Sequence, residues 1–364
     1  MSKQDERYMS LALMLGRRGQ GRTWPNPSVG CVIVRESRII GRGRTADGGR
    51  PHAETEALNQ AGAAARGATA YVALEPCAHH GQTPPCAEAL IAAGVARVVA
   101  PMADSDPRVA GQGFALLQKA GIEVTTGVLA NEAARDLDGF LMRTEHGRPH
   151  LTLKLASSFD GRIATATGQS QWITGPAARR HVHALRARHD AVMVGAGTAR
   201  MDDPSLTVRD LGIAQQPVRV VVSRRLDLPM MSKLARSAKL APLWLCHGPD
   251  ADPSLVDAWQ GIGATLIPCG LTGRQLDVRS VLQELGAQGL TRVFCEGGGG
   301  LAASLLAADL VDEMVGYTAG LAIGAEGLPA IGALGLSQLR DAPRFHLVES
   351  QTIAGDMMHR WVRA

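Results

Sequence analysis

Three residues in the first quarter of the chain have the types and order of a zinc site. His52 stands in the hexapeptide Gly-Arg-Pro-His-Ala-Glu, Cys77 ends the tetrapeptide Leu-Glu-Pro-Cys, and Cys86 follows nine positions later. One His and two Cys leave zinc an open fourth position, as in catalytic sites, and zinc lowers the pKa of bound water to about 7. Glu54, two residues after His52, can carry a proton to a leaving amine. The pattern therefore predicts hydrolysis at zinc.

The alternative is a structural zinc site, which needs a fourth protein ligand. His79 or His80 could supply it, but we expect both to be loop histidines that face solvent or substrate. The order His-x-Glu, Pro-Cys, Cys is the signature of zinc deaminases, although the eight-residue loop between the two cysteines is longer than in the commonest form. The other cysteines lie in or beside apolar runs, where we expect them to pack as small hydrophobic residues: Cys31, Cys246, Cys269 and Cys295.

A second candidate site is a strand that runs into glycines. The apolar run Thr291–Cys295 is followed by Glu296, by four glycines at 297–300, and by a predicted helix over Leu301–Ala308. Free backbone N–H groups and the helix dipole at such a junction favour a phosphate. The spacing alone is also compatible with a plain turn.

Two α/β units must position these residues. Short apolar strands alternate with amphipathic helices up to 146–149, where His-Gly-Arg-Pro breaks a helix, and the alternation then resumes. We place the boundary near Gly147, which gives domains 1–147 and 148–364. In the first we predict helices over 5–18, 53–65, 86–93, 114–120 and 131–145, and strands over 28–34, 38–43, 68–74, 96–100 and 122–125. In the second we predict strands over 151–155, 191–194, 218–222, 242–246, 264–267, 291–295, 313–317, 345–349 and 357–362, with helices such as 176–187 and 278–288.

Composition excludes several classes of protein. The 364 residues are 45% hydrophobic and 20% charged, which is typical of a globular protein and not of a disordered one. The longest charge-free stretch near the C-terminus, Met314–Ala325, is shorter than the roughly 20 residues of a membrane span. The N-terminus lacks the uninterrupted apolar core of a secretory signal, so we expect a cytoplasmic protein with reduced cysteines. A net charge of only +4 and few aromatic residues argue against nucleic acid as a partner and fit a small anionic substrate.

The sequence resembles a known enzyme family in its first half. Four segments, in this order, resemble the deaminase half of the bifunctional riboflavin-biosynthesis deaminase/reductases: PNPSVGCVIV, GGRPHAETEAL, LEPCAHHGQTPPCAEALIAAGVARVV and DPRVAGQG. The resemblance implies a cytidine-deaminase-like three-layer fold. It also implies zinc-dependent removal of a ring amino group from 2,5-diamino-6-(5-phosphoribosylamino)pyrimidin-4(3H)-one. It assigns zinc to His52, Cys77 and Cys86, the proton shuttle to Glu54, and a contact with the pyrimidine to Asn26.

The second half resembles the reductase half of the same family. The segments that carry the resemblance are LTLKLASSFDGRIA, GQSQWITG, LRARHDAVMVGAGTARMDDPSLTVR and CEGGGGLAASLLAADLVDE. They imply a dihydrofolate-reductase-like fold that uses NADPH. The reaction implied is hydride delivery to the first ribose carbon of 5-amino-6-(5-phosphoribosylamino)uracil, which opens the ring to a ribityl chain.

The resemblance also implies which residues form the reductase site. Those expected to line NADPH are Ala156, Trp172, Thr198, Asp202 and Ser223, with Gly298, Gly299, Gly300, Leu301 and Ala302 under its pyrophosphate. Those expected to face the substrate are Lys154, Ser170, Arg186, Leu206, Arg209 and Glu296. A lone arginine is often solvated, and Trp172 could be a core residue. Lys154 lies in an apolar strand, where an unpaired charge is costly.

Several positions depart from the family pattern. Around the substrate phosphate, three positions lack the usual cation or histidine: Gln82, Thr45 and Gln112. Each lost charge-assisted hydrogen bond would weaken binding by about 1–3 kcal/mol, and Arg50 or Arg108 could compensate. In the second half no Asp precedes Ser223, and the segment 318–324 lacks a Lys.

We therefore expect a bifunctional enzyme, a zinc hydrolase and NADP-dependent oxidoreductase, that forms a dimer or tetramer as the family implies. One alternative is a reductase whose deaminase half is only a zinc-stabilised scaffold, which the three departures around the phosphate favour. The retention of Glu54 beside three zinc ligands argues against it. The other alternative is a nucleoside or tRNA deaminase with an added domain. The low net charge and the complete reductase pattern argue against that one.

Overall fold

The computed structural model describes residues 2–79, 84–106 and 110–364. The chain divides into two compact units, Met1–Gly147 and Arg148–Ala364. The expectations for His80, Gln82 and Arg108 concern positions outside the described residues. In the described part of the chain, no helix combines the length and the apolar character that a membrane crossing requires.

The first unit is a five-stranded sheet with helices. Its helices are α1 (Lys3–Arg17), α2 (Ala53–Ala61), α3 (Cys86–Ala93), α4 (Gln112–Lys119), α5 (Ala130–Asp136) and α6 (Asp138–His146). Its strands are β1 (Gly30–Arg35), β2 (Arg38–Arg44), β3 (Thr69–Val72), β4 (Arg97–Val99) and β5 (Glu123–Thr125). The strand order is β2-β1-β3-β4-β5. β1 runs antiparallel to both of its neighbours, whereas β3, β4 and β5 are parallel.

Helix α1 shows how the sequence builds this unit. The Ser2 side chain caps its first turn by accepting a hydrogen bond from the Asp5 N–H, at 3.1 Å. The helix packs closely on β1 at Gly30, where a Cβ would lie 1.9 Å from the Ala12 carbonyl oxygen. Buried Asp5 accepts hydrogen bonds from Arg97 at 2.9 Å and Tyr71 at 3.0 Å, and the Arg97 guanidinium lowers its pKa to about 2. This polar cluster ties the helix to β3 and β4.

Two helix predictions for the first unit need correction. The helix predicted over 131–145 is two helices, because Leu137 leaves the helical conformation at φ −102° and ψ 4° and buries its side chain. The helix predicted over 53–65 ends at Ala61. Gly62, at φ 53°, turns the chain there into a short 3₁₀ segment, Gly62–Ala65.

The second unit is built on a nine-stranded sheet. Its helices are α7 (Pro176–Arg186), α8 (Ala196–Asp202), α9 (Lys233–Arg236), α10 (Pro253–Gly261), α11 (Val278–Ala287) and α12 (Gly299–Ala307). Its strands are β6 (His150–Ser158), β7 (Arg162–Ala164), β8 (Ala191–Gly195), β9 (Val218–Val222), β10 (Leu243–His247), β11 (Thr265–Pro268), β12 (Leu271–Thr272), β13 (Gln275–Leu276), β14 (Arg292–Gly297), β15 (Glu313–Ala319), β16 (Leu328–Pro329), β17 (Phe345–Ile353) and β18 (Asp356–Arg363). The order in the large sheet is β11-β10-β9-β8-β14-β6-β15-β18-β17.

Each strand predicted for this unit is present; β9 has its predicted ends, and the others differ by one to four residues at an end. The two short pairs β12–β13 and β16–β7 and the helices α8, α9 and α10 were not predicted. From β11 to β15 the neighbouring strands of the large sheet are parallel, and β18 and β17 extend it antiparallel.

The parallel strands bring one set of loops together. The carboxyl ends of β6, β8, β9 and β14 meet at one edge of the sheet, which is where ligands bind in such folds. β14 carries a bulge there: Cys295 pairs with Met193 and Gly297 with Val194, so Glu296 has no partner on β8. At the opposite end, Asp312 accepts hydrogen bonds from Arg148 at 2.7 Å and from the Leu151 N–H at 2.8 Å, and so anchors the start of β6.

Candidate functional site

The first unit brings three soft-metal ligands together. His52 is the N-cap residue of α2, Cys86 is the first residue of α3, and Cys77 lies in the loop after β3. The ligand atoms of the three residues all lie within 4.8 Å of one another. His52 Nδ1 is 3.4 Å from Cys86 Sγ and 3.7 Å from Cys77 Sγ.

These atoms fit a zinc ion. Zn–N and Zn–S bonds of about 2.0 and 2.3 Å in a tetrahedron place ligand atoms roughly 3.5–3.8 Å apart, close to the observed separations. The Cys86 N–H donates to Cys77 Sγ at 3.3 Å. Hydrogen bonds from Cys86 and His52 lower the pKa of the Cys77 thiol to about 4. His79 is not part of the three-residue cluster found among the described residues.

Glu54 stands in the first turn of α2 and is 4% exposed. Burial raises the pKa of its carboxyl to about 7. Glu54, His52 and Cys77 line one cavity of about 220 Å³. A carboxyl group beside a metal-ligand cluster in a cavity has the position that general acid–base catalysis needs.

The same cavity contains several residues singled out in the sequence. Asn26 and Arg50 line it, and so does His79. Thr45 also lines it. Its Oγ1 accepts a hydrogen bond from the Val29 N–H at 3.0 Å, three residues after Asn26. Gln112 differs: it is the exposed first residue of α4 and is absent from the described lining of the cavity.

Five polar lining residues were not singled out in the sequence: Glu75, Asp104, Asp106, Arg143 and Thr144. Asp104 and Asp106 follow the carboxyl end of β4, so the parallel β3–β4 pairing is a signal that could have found them. Burial raises the pKa of Asp104 to about 6. Arg143 and Thr144 come from α6, a little over 90 residues after His52, and no local pattern indicates that they return to the cavity.

In the second unit, Arg186 and Glu296 form a buried ion pair. Arg186 Nη2 donates to Glu296 Oε2 at 2.9 Å and Nε donates to Oε1, so the pair is bidentate. The side chains are 11% and 10% exposed. Arg186 also donates to the Thr207 carbonyl oxygen at 2.8 Å. Burial acts to raise the pKa of Glu296, but the Arg186 charge outweighs it and holds that pKa below its ordinary value.

Lys154 lies on β6 near this pair and, unlike Arg186, has no carboxylate partner in an ion pair among the described residues. Burial lowers the pKa of its ammonium group, while Glu296 and Asp202 act in the opposite direction. Ser170 donates a hydrogen bond to Asp202 at 3.4 Å. Burial raises the pKa of Asp202. The structure thus collects Lys154, Arg186, Glu296, Asp202 and Ser170 into one electrostatic cluster.

The glycine junction begins the helix two residues earlier than predicted. Gly298, at φ 76°, precedes α12, and a Cβ on it would lie 2.8 Å from Thr198 Oγ1. A Cβ on Gly299 would lie 2.7 Å from the Pro329 carbonyl oxygen, whereas Gly300 faces open space. Leu301 and Ala302 fall in the first turn of α12. Two groups expected at the cofactor, Thr198 and the glycines, are therefore neighbours.

The remaining predicted residues have separate surroundings. Ser223 is buried after β9 and donates to Asp227 at 3.4 Å. Trp172 is 65% exposed, with the Arg179 guanidinium 4.5 Å from its ring centroid, so the core interpretation of Trp172 is wrong. The others are Ala156 on β6, buried Leu206 at φ 54°, and exposed Arg209, whose N–H donates to His183 Nδ1 at 3.3 Å.

Matches to known proteins cover nearly the whole chain. Residues 2–102 match the family model "cytidine and deoxycytidylate deaminase zinc-binding region", and residues 149–359 match "RibD C-terminal domain". The riboflavin biosynthesis protein RibD of Escherichia coli is 42% identical over 97% of this chain and 98% of its own. That of Haemophilus influenzae is 40% identical over 98% and 96%.

Solved structures agree with these matches. Acinetobacter baumannii RibD, form 1, is 39% identical, with a TM-score of 0.88 over 100% of this chain and 99% of its own. A diaminohydroxyphosphoribosylaminopyrimidine deaminase/5-amino-6-(5-phosphoribosylamino)uracil reductase from Thermotoga maritima is 33% identical, with a TM-score of 0.86 over 99% of both chains.

Proposed function

The chain belongs to the family of RibD riboflavin biosynthesis proteins, a bifunctional deaminase and reductase, and from this we propose which of its residues carry each activity. Zinc and NADPH are the cofactors. We assign the deamination of 2,5-diamino-6-(5-phosphoribosylamino)pyrimidin-4(3H)-one to 1–147. We assign the reduction of 5-amino-6-(5-phosphoribosylamino)uracil to 148–364.

The observation that carries the deaminase assignment is the convergence of His52, Cys77, Cys86 and Glu54 on one cavity. Zinc, when bound by the first three residues, makes water a nucleophile at neutral pH. Glu54 takes a proton from the water and delivers it to the departing amine, and the second water proton ends on the neighbouring ring nitrogen. Water and the ring amine thus become a ring carbonyl and ammonia. Asn26 orients the pyrimidine from the facing turn. Arg50 and Arg143 on the cavity wall suit the substrate phosphate.

The reductase assignment depends on the charged cluster at the sheet edge. NADPH, when bound against Thr198 and the glycine junction, supplies the hydride. Lys154 is the cation that we assign to the substrate phosphate, because the Arg186 charge is already balanced by Glu296. The Arg186–Glu296 pair then forms the surface of the site against which the ribose lies. We place the ribosylamine beside Asp202, which is also expected at NADPH and accepts a hydrogen bond from Ser170.

The partner is a small pyrimidine ribotide. A homo-oligomer, expected from the family, is supported by strand β17, which ends the large sheet and exposes Leu347 and Val348 at about half of their area. Light scattering of the full chain would show a dimer or tetramer if this is right and a 38.3 kDa species if it is wrong. A cytoplasmic location stays a prediction.

The test is ammonia release from the diaminopyrimidinone ribotide, followed by addition of NADPH. Glu54→Gln should lower ammonia release by about 10²–10⁴-fold, because it removes the group that moves the proton. NADPH oxidation with authentic aminouracil ribotide should be unchanged in this variant. Glu56→Gln, at an exposed acid of the same helical turn, should leave both reactions unchanged.

Zinc-loaded wild-type protein that releases no ammonia, yet still oxidises NADPH with the uracil ribotide, would favour a deaminase half kept as a scaffold. Ammonia release without NADPH oxidation would leave the reductase assignment wrong.

A further inference from the structure

A buried carboxylate outside the zinc cluster binds three backbone amides. Glu75, two residues before Cys77, is 3% exposed. Its Oε2 accepts hydrogen bonds from the N–H groups of Asp104 at 3.0 Å and Gly111 at 2.9 Å. Its Oε1 accepts one from the Phe114 N–H at 3.1 Å. One side chain thus holds a second segment of the unit at three points.

The contact between the two segments is close as well as polar. A Cβ on Gly113 would lie 2.0 Å from the Pro76 carbonyl oxygen and 3.2 Å from Glu75 Oε1. Only a glycine lets the second segment approach this near. A carboxylate accepts hydrogen bonds and donates none, so it matches a set of converging N–H groups, and its burial requires them. Glu75 and Gly113 therefore form a specific joint.

The joint connects the metal-ligand loop to a wall of the cavity. Asp104, whose N–H is held by Glu75, in turn accepts the Asp106 N–H on its Oδ1 at 2.8 Å. Both aspartates line the cavity that contains His52 and Cys77, and so does Glu75. The position of this acidic wall relative to the metal ligands is thereby set through the Glu75 side chain.

We propose that Glu75 is a positioning residue of the deaminase, which holds the Asp104–Asp106 wall at the distance from the zinc ligands that the pyrimidine ribotide requires. This inference rests on the proposed function and adds a determinant of substrate binding to it. Both carboxylate oxygens of Glu75 accept hydrogen bonds from backbone N–H groups of this segment, so Glu75 acts through the wall. Its loss should therefore change the Michaelis constant more than the turnover number or the metal content.

The test is Glu75→Gln in the full chain. The amide places an NH₂ group against one of the three N–H donors, and loss of a hydrogen bond to a charged acceptor should raise KM for the diaminopyrimidinone ribotide about tenfold. The turnover number should fall by less, zinc should stay stoichiometric, and the uracil ribotide reduction should be unchanged. Hydrogen exchange should accelerate at the amides of Asp104, Gly111 and Phe114. Glu56→Gln, at an exposed acid in the first turn of α2, is the control.

A second variant reaches the joint from the other side. Gly113→Ala keeps the carboxylate but presses the segment away from Pro76, and it should give the same rise in KM with zinc retained. Loss of zinc in parallel with turnover would overturn the proposal, because Glu75 would then support the metal ligands. An unchanged KM in both variants would also overturn it. Wild-type protein that releases no ammonia would instead contradict the proposed function itself.

Discussion

The two candidate sites differ in how close together the side chains that form them lie. In the first unit, three ligand atoms from two helix N-termini and one loop lie within 4.8 Å of one another. In the second, the predicted residues follow a sheet edge, and they meet in small sets such as Arg186–Glu296 and Ser170–Asp202. A metal ion is smaller than its ligand set, so the ligands must nearly touch. A dinucleotide and a ribotide are larger than any side chain, so the residues that bind them need not.

Charge is also balanced differently in the two sites. The deaminase cavity is lined by acids and cations from separate elements, Asp104 and Asp106 from one loop and Arg50 and Arg143 from others. The reductase cluster contains one nearly buried ion pair and, beside it, Lys154, whose pKa is lowered by burial. In the first site the charges come from several elements that line one cavity, whereas in the second Arg186 directly balances Glu296.

Removal of the metal should give the largest difference between the two halves. His52→Ala, or prolonged treatment with a chelator, should lower ammonia release by more than about 100-fold, since loss of groups that only support a metal ligand already costs about 10–100-fold. Reduction of the uracil ribotide should keep its wild-type rate. The readouts are zinc content, ammonia release and NADPH oxidation on the same preparation.

The control for this prediction is His79→Ala, which changes a cavity histidine outside the three-ligand cluster. It should retain stoichiometric zinc. If it loses zinc as His52→Ala does, the site has a fourth protein ligand, and the structural interpretation of the metal would replace the catalytic one.

The buried ion pair gives the next largest effect, confined to the second unit. Glu296→Ala leaves the Arg186 guanidinium buried without its counter-charge, and breaking such a pair costs about 3–5 kcal/mol. Hydrogen exchange at β14 amides should report this loss, and reductase activity should fall with it while ammonia release persists. Glu349→Gln removes an ion pair to Arg360 whose side chains are 43% and 42% exposed, and it should cost less than about 1 kcal/mol. Equal effects of the two variants would mean that the environment of Arg186 is not what distinguishes this site.

The difference between the sites also explains what the sequence could predict. The predicted zinc ligands and Glu54 stand at short spacings beside predicted elements, and local order was enough to single them out. The strand Val218–Val222 and the helix Cys86–Ala93 were predicted with their observed ends, and the α/β fold class is confirmed. Local pattern is informative where burial has a simple period, as in these elements.

What the sequence could not predict depends on tertiary geometry. The Arg186–Glu296 pair joins residues 110 positions apart, and Glu296 lies at the bulge in β14, which no apolar pattern indicates. The carboxylate of Glu75 finds three amides in a segment about 30–40 residues away. The break at Leu137 was missed because it is a property of the folded unit, in which this residue leaves the helical conformation and its side chain is buried.

The smallest expected effect is that of a substitution in the glycine junction, which tests whether these glycines bind the cofactor or only turn the chain. Gly300→Ala adds a methyl group in open space, so the free protein should keep its stability. If the pyrophosphate of NADPH lies against the first turn of α12, the methyl group should raise KM for NADPH by about three- to tenfold, since the backbone must come close to bind it. Gly299→Ala should instead destabilise the second unit, because its Cβ would lie 2.7 Å from the Pro329 carbonyl oxygen. A Gly300→Ala enzyme with wild-type KM for NADPH and wild-type stability would mean that the glycines only turn the chain, and the cofactor would then have to bind elsewhere along the sheet edge.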